Sequence, residues 1–415
     1  VVPIQGRNGK LYGTNAGASG GSGSIFEIST AGLERQVYTF GADGTNPYAG
    51  LALATDGNFY GTTAYGGSTN NGVLFKISAS GAYTVLHEFA GGSDGANPVA
   101  APTEASDGSL YGPSLGTNGA STIYKYTPSG AFSTILNLTP SQGVYAVGAL
   151  LEGIDGNLYG SAEQGGDGGC GTLFKVSKSG SVLWSYSFQC NDTGSSPWAA
   201  LIQGTDGNFY GTTIYGGPGQ QCGTVFRLKP NGSVSDVYAF KNIPDGCQPF
   251  GGITQGTDGN LYGTTFGGGK GANGGGGTIY QLTTDGVHSI LYYFGKGGET
   301  PAAALTQDTN GTFYGTTELG GRSGFGTIYS LNMGLGPFVA FVLPVGKPGQ
   351  SAQILGQGLT GATGVTFNGV PATSLKVMND TYMTATVPTG ATTGKVVVTT
   401  PGGTLTSNVN FRIIQ

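Results

Sequence analysis

The sequence predicts an all-β chain whose residues 1–336 form a seven-bladed β-propeller. Three observations carry this. One unit recurs seven times, its anchoring tyrosines (Tyr12, Tyr60, Tyr111, Tyr159, Tyr210, Tyr262 and Tyr314) standing 48 to 52 residues apart. Each unit divides into four short apolar segments separated by Gly, Asn, Asp and Pro turn signals, which is the pattern of four-stranded blades. The composition agrees: 82 glycines without a G-X-Y period exclude collagen, and 22 Tyr with 20 Phe supply a core.

The innermost strand of a unit, A, is a small apolar run such as Ala199 to Gln203. An Asp-Gly turn then reverses the chain, because a tight hairpin needs φ > 0. Asp56-Gly57, Asp107-Gly108, Asp155-Gly156, Asp206-Gly207 and Asp258-Gly259 are such turns, with Asn8-Gly9 and Asn310-Gly311 in the outer units. Strand B is the Tyr-Gly-Thr-Thr segment. A glycine-rich loop leads to strand C, as in Gly223 to Leu228, Gly277 to Leu282 and Gly326 to Leu331. A second turn, such as Pro230-Asn231-Gly232, precedes an aromatic outer strand D, such as Val237 to Phe240.

Four up-and-down strands place the A–B and C–D turns on one face and the B–C and D–A loops on the other. The first set is short. The second is long and polar, as in Tyr65 to Gly72, Tyr215 to Gly223 and Gly267 to Gly277. Function tends to sit on loops held by a rigid scaffold, so a binding site is expected on the B–C/D–A face.

Charged residues make up only 9% of the chain, and the net charge is −5. Without a basic stripe, phosphate-directed nucleic-acid binding is not expected. No apolar run is long enough to insert in a membrane as a helix. The chain opens at Val1 without a signal-like stretch and reads as a trimmed, exported protein.

Cys170 and Cys222 occupy equivalent positions before strand C, and Cys190 and Cys247 both follow strand D. Three pairings are open in principle. The repeat favours Cys170–Cys190 and Cys222–Cys247, each within one blade, over a cross-blade Cys190–Cys222 bond. Disulfides would place the chain in an oxidising compartment, extracellular or at the cell surface.

Tyr48, Trp198 and Phe250 follow or flank a proline at the start of strand A, and Tyr65 and Tyr215 follow strand B. All five are candidates for stacking on sugars, against the plainer role of blade-to-blade packing. Glu163 and Glu318 also follow strand B but belong to different blades, so a carboxylate pair for glycoside hydrolysis is not apparent. His87 and His288 read as packing or surface residues. Asp43, Asp94 and Asp245 stand before glycines in D–A loops, where turn formation explains them better than calcium. No cofactor or metal site is expected.

The D-G-N-x-Y-G-T-T segments, the Gly-Gly loops and the Cys-Gly-Thr-Val-Phe-Arg-Leu stretch at Cys222 to Leu228 resemble the GloVer tandem repeat of exported bacterial proteins. The resemblance implies no catalytic residues. Residues 337–415 resemble an IPT/TIG domain, which implies an immunoglobulin-like β-sandwich. The likeness rests on Pro337 to Pro344, on Ile354-Leu355-Gly356 and on Val365 to Ala372 with its Asn368-Gly369 turn. Pro337 to Pro344 suits both the outer strand of blade 7 and the first IPT/TIG strand, so the junction is expected either as a strand shared by the two or, if the IPT/TIG sheet takes it, as an open edge of blade 7 that docks a neighbouring copy. This places the C-terminal domain against the rim of blade 7 and away from the propeller's centre.

The whole reads as a non-catalytic extracellular protein, structural or adhesive, self-assembling or joined to other surface proteins. A carbohydrate-binding propeller and a secreted glycan-active enzyme are the alternatives.

Overall fold

A computed structural model describes residues 2–415 apart from 18–20, 117–118, 220, 271–274 and 296. Val1, the middle of the expected Gly267–Gly277 loop and one residue of the Tyr215–Gly223 loop therefore lie outside the described residues.

The repeat motif is a set of local bonds. Asp206 Oδ1 accepts the N–H of Asn208 at 3.1 Å, and Oδ2 accepts the Tyr210 hydroxyl at 2.7 Å. Aspartate and tyrosine four residues apart are thus bonded, and the same pair forms at Asp56, Asp107, Asp155 and Asp258. Gly207 between them has φ of 83°, which a β-carbon disfavours. The glycine after the tyrosine is needed for space: a Cβ on Gly211 would stand 2.5 Å from Phe226 Cζ.

The two threonines divide the remaining work. The first reaches the next sheet, as when Thr14 donates to the Ala49 carbonyl at 2.6 Å and Thr62 to that of Ala100 at 2.9 Å. The second ties strands B and C, through Thr213–Thr224 and Thr265–Thr278, each at 2.9 Å.

Among the described residues these units build seven antiparallel sheets in chain order, six of four strands and one of three. The fifth is typical, with Ile202–Gln203, Phe209–Thr213, Thr224–Leu228 and Val234–Ala239. The seventh holds Thr306–Gln307, Phe313–Thr317 and Thr327–Leu331. Among the described residues there is no α-helix, and no helix is long and apolar enough to cross a membrane. The core lies between neighbouring sheets. Tyr159 and Leu173 of the fourth pack with Phe209, Phe226 and Leu228 of the fifth, and each such side chain contributes about 1.5–3 kcal/mol by burial.

Past Phe338 the chain forms two further four-stranded sheets and a short parallel pair. One sheet joins Ala340–Phe341, Ser351–Leu355, Tyr382–Thr386 and Leu375–Asn379; the other joins Val370–Pro371, Gly364–Phe367, Val396–Thr400 and Gly403–Thr406. Ile354, Val365, Phe367, Met383, Val396 and Val398 are buried together between them.

This segment does not sit at the rim of the seventh sheet, contrary to the expectation above. It spreads across the A–B turns of several sheets. Gln357 donates to Asp308 and Thr309 of the seventh sheet, and Thr381 to the Arg7 carbonyl of the first. Gln353 donates to the Thr55 carbonyl of the second, and Arg412 to Glu152 and Gly153 of the fourth. The short turns expose carbonyls, carboxylates and Arg7, whose guanidinium lies 4.7 Å from the Tyr382 ring. Those groups give the docked segment its partners, which a count of strand lengths does not register. Nor is Ala340–Phe341 shared: it pairs with Ser351–Leu355 and not with the seventh sheet.

Candidate functional site

With the A–B face covered, the B–C/D–A face is the open one. Its geometry starts from a recurring backbone device. Before Pro47, Pro98, Pro197, Pro249 and Pro301, in the approach to strand A, stands a non-glycine residue with positive φ: Asn46 at 56°, Asn97 at 45°, Ser196 at 56°, Gln248 at 62° and Thr300 at 56°. The loop N-terminal to strand C holds it there, through bonds from Ser196 N–H to the Cys170 carbonyl and from Gln248 N–H to that of Cys222, both 2.9 Å. The proline lies against the glycine that opens strand C, and a Cβ on Gly171 would stand 2.5 Å from Pro197 Cδ. The side chain after the proline is thereby presented outward.

Tyr48 and Trp198 are exposed at 51% and 37%, whereas Phe250 is half-buried. Tyr65 and Tyr215 are also exposed, each bridged by its backbone to the preceding D–A loop at Thr45 and Ser195. Trp198 and Phe250 meet edge to face, with centroids 5.9 Å apart, and Phe250 meets Phe266 at 5.4 Å. Among the described residues no ring contact joins Tyr48, Tyr65 or Tyr215 to this group. Tyr48 and Tyr65 belong to the second sheet, away in sequence order from the fifth and sixth.

Phe266 is the member that sequence reading passed over. It follows strand B where other units have Ala64, Glu163 and Ile214, so the signal was an aromatic substitution in an otherwise mixed column. Its placement is firm, because the Gln248 carbonyl accepts N–H groups from both Phe250 and Phe266, each at 2.8 Å.

The disulfides are Cys170–Cys190 and Cys222–Cys247, the expected pairs. Both lie on this face and brace the loops that carry Trp198 and Phe250. Glu163 is half-buried here, and burial pushes its carboxyl above the ordinary range. Its carbonyl lies, like Pro197, against Gly171, which puts it beside the segment bearing Trp198.

The other candidates have structural partners. His87 stacks on Phe132 with centroids 3.4 Å apart and meets Asp94 at 3.0 Å. His288 stacks on Tyr238 at 4.3 Å. Asp43 and Asp245 accept the hydroxyls of Tyr38 and Tyr238, each at 2.6 Å, and Asp94 accepts the Ala90 N–H at 2.7 Å. Their oxygens serve turns and outer strands. Among the described residues no cluster of three or more His, Cys, Asp or Glu is placed to hold a metal.

Two cavities, of about 280 and 420 Å³, lie on the opposite side beneath the C-terminal segment. Glu104 lines both, and Glu152 lines the smaller. Burial raises Glu104 despite two bonds from Thr55. Burial also pulls Glu152 upward, but Lys178, Ser106 and Arg412 together hold it below the usual carboxylate value. Its charge is already matched.

The Gloeobacter/Verrucomicrobia repeat matches residues 2–115 and 113–329. The chain belongs to this family. No curated protein matches it closely enough to count as a relative. Among solved structures, it is similar to the lectin BP39L from Burkholderia pseudomallei, with a TM-score of 0.59 at 10% identity over 81% of this chain and 97% of that one. It is also similar to a candidate 6-phosphogluconolactonase from Bacteroides uniformis, with a TM-score of 0.53 at 15% identity over 79% and 94% of the two chains. A second candidate of that name, from Bacteroides fragilis, has a TM-score of 0.50 at 16% identity over 78% and 95%.

These likenesses establish a repeat β-propeller fold. They also correct the expectation that the chain is not an enzyme, since structures named for enzymes share its fold. The expectation of a self-assembling adhesive protein draws no support from them.

Proposed function

We propose that this chain is an exported carbohydrate-binding protein: a seven-bladed β-propeller over residues 1–336, with an immunoglobulin-like IPT/TIG domain over 337–415. The observation that carries the reading is the Trp198–Phe250–Phe266 group on the uncovered face, braced by two disulfides. Aromatic faces with apolar bodies suit the C–H surfaces of sugar rings, and loops fixed before binding lose less entropy on binding. The backbone of Glu163 lies against Gly171, as Pro197 does, on the same face. Tyr48 and Tyr65 on the second sheet, with Tyr215 on the fifth, offer further stacking surfaces on the same face. The disulfides support an oxidising, extracellular location.

A glycan array followed by calorimetry tests this, with product analysis so that turnover is read alongside binding. Trp198→Ala should weaken binding at least tenfold, and Asn58→Ala on the opposite turns should leave it unchanged. Binding lost through Asn58→Ala alone, or no glycan bound at all, would overturn the reading.

A further inference from the structure

Strand A ends in Gln5, Glu104, Glu152, Gln203, Gln255 and Gln307 in six of the seven sheets. Each of these side chains accepts a backbone N–H from the A–B turn of the neighbouring sheet. Glu104 takes that of Thr55 and Glu152 that of Ser106, as Gln307 takes that of Thr257. An amide oxygen therefore serves this bond as well as a carboxylate does. A hydroxyl on the turn does not call for an acid either, since Gln307 Nε2 meets the Thr257 hydroxyl at 3.2 Å. The negative charge of the two glutamates needs another account.

Glu152 has one. Lys178 and Arg412 stand 2.8 and 2.6 Å from its carboxylate. Glu104, half-buried, has no such partner: among the described residues only the N–H and hydroxyl of Thr55 donate to it. Arg7 is close enough to favour its charge, but Arg7 spends its bonds on the Ala54 and Thr55 carbonyls and on Gln353, and Asp56 opposes it. Glu104 also borders both cavities beneath the C-terminal segment, together with Leu343 and Val345. The smaller, about 280 Å³, is walled further by Leu151, Ile154 and Val409. The larger, about 420 Å³, is polar, and its Asp107 is paired with Lys125 at 3.1 Å. One carboxylate without a bonded cation thus faces an apolar space on one side and a polar space on the other.

We propose that Glu104 anchors a small organic cation, a protonated amine on an apolar body, in the cleft between the A–B turns and the C-terminal segment. The ammonium donates to the carboxylate lone pairs that Thr55 leaves open, and charge-assisted bonds of this kind are the strong ones. The carbon body lies on Leu151, Ile154 and Val409, where leaving water is favourable. A bare metal ion is poorly served, because those three side chains bring no oxygen ligands. The site does not rest on the aromatic group of the opposite face, so sugar binding there and amine binding here stand or fall separately.

Calorimetric titration of the intact chain at neutral pH tests this with hexylamine, against hexanol and hexanoate as probes of the same length. Hexylamine should bind roughly tenfold or more tightly than hexanol, the worth of one hydrogen bond to a charged group, and hexanoate should not bind. Glu104→Gln keeps an acceptor for Thr55, as Gln307 does for Thr257. It should lower hexylamine to the affinity of hexanol at an unchanged melting temperature. Equal binding of amine and alcohol, or no binding of the amine, would overturn the proposal, and these probes keep the test decisive if Glu104→Gln misfolds. Undiminished hexylamine binding to a folded Glu104→Gln protein would overturn it as well.

Discussion

Thr309 donates its backbone N–H to Gln5 Oε1 at 3.1 Å, and Gln5 Nε2 donates back to Thr309 Oγ1 at 2.7 Å, across 304 positions of sequence. The same latch joins consecutive sheets. A Glu or Gln in strand A accepts the N–H of the A–B turn before it at Thr55–Glu104 (2.8 Å), Ser106–Glu152 (2.6 Å), Ile154–Gln203 (2.9 Å), Thr205–Gln255 (2.9 Å) and Thr257–Gln307 (3.0 Å). Only the first junction differs: Leu53 stands in the acceptor's place, and Arg7 donates to the Thr55 carbonyl at 2.8 Å. The first and seventh sheets therefore meet as sequence neighbours do, which supports a closed ring of seven.

Gln5→Ala should destabilise the fold by about 1–3 kcal/mol, because it leaves the buried Thr309 N–H unpaired. Urea unfolding monitored by tyrosine fluorescence measures this. No loss of stability would mean that the latch does not hold the ring.

Gly211→Ala should cost about 1–3 kcal/mol through overpacking, since the added carbon meets Phe226 Cζ at 2.5 Å. Gly207→Ala has open space around its Cβ but a φ of 83°, so its cost should be about 1 kcal/mol from backbone strain. Thermal melts of the two variants should rank them in that order.

Asp308 is fully buried, and burial raises its pKa to about 6 although Asn310 and Gln357 donate to it. The folded state then holds the proton more tightly than the unfolded chain, whose value is near 3.8. Stability contributed by this group falls as pH rises from about 4 to 6, and the penalty is complete above that. Asp308→Asn should raise stability at pH 7.5 by on the order of 2–3 kcal/mol and leave it little changed at pH 3.5. Melting temperatures of both proteins across pH 3.5–8 decide it, and an equal difference at every pH would refute the assignment.

The repeat was legible because its signals are local. Aspartate and tyrosine four apart are fixed within one hairpin, and so is Gly211, which stands opposite Phe226 on the paired strand. The cysteine pairs followed from repeat equivalence. The position of the C-terminal segment was not legible, because it depends on Arg7, Gln353 and Arg412 meeting groups about 260 to 350 residues away in sequence. On the candidate binding face, Trp198 and Phe250 could be read from their proline context. Phe266 could not, since its column in the repeat varies and its partner lies on another loop.

The Cys222–Cys247 bond should matter more to binding than Cys170–Cys190. It closes a span of 25 residues that carries Tyr238 and ends one residue before Gln248. The Gln248 carbonyl fixes both Phe250 and Phe266, so freeing this loop loosens two of the three clustered rings. The Cys170–Cys190 bond closes 20 residues and ends eight before Trp198. Removing either should cost about 3 kcal/mol by the chain-entropy argument. Stability losses of the Cys222→Ser/Cys247→Ser and Cys170→Ser/Cys190→Ser proteins should therefore be similar. Glycan affinity should fall further in the first than in the second, measured by calorimetry well below both melting temperatures. Equal affinity losses would detach the Phe250–Phe266 pair from the binding face.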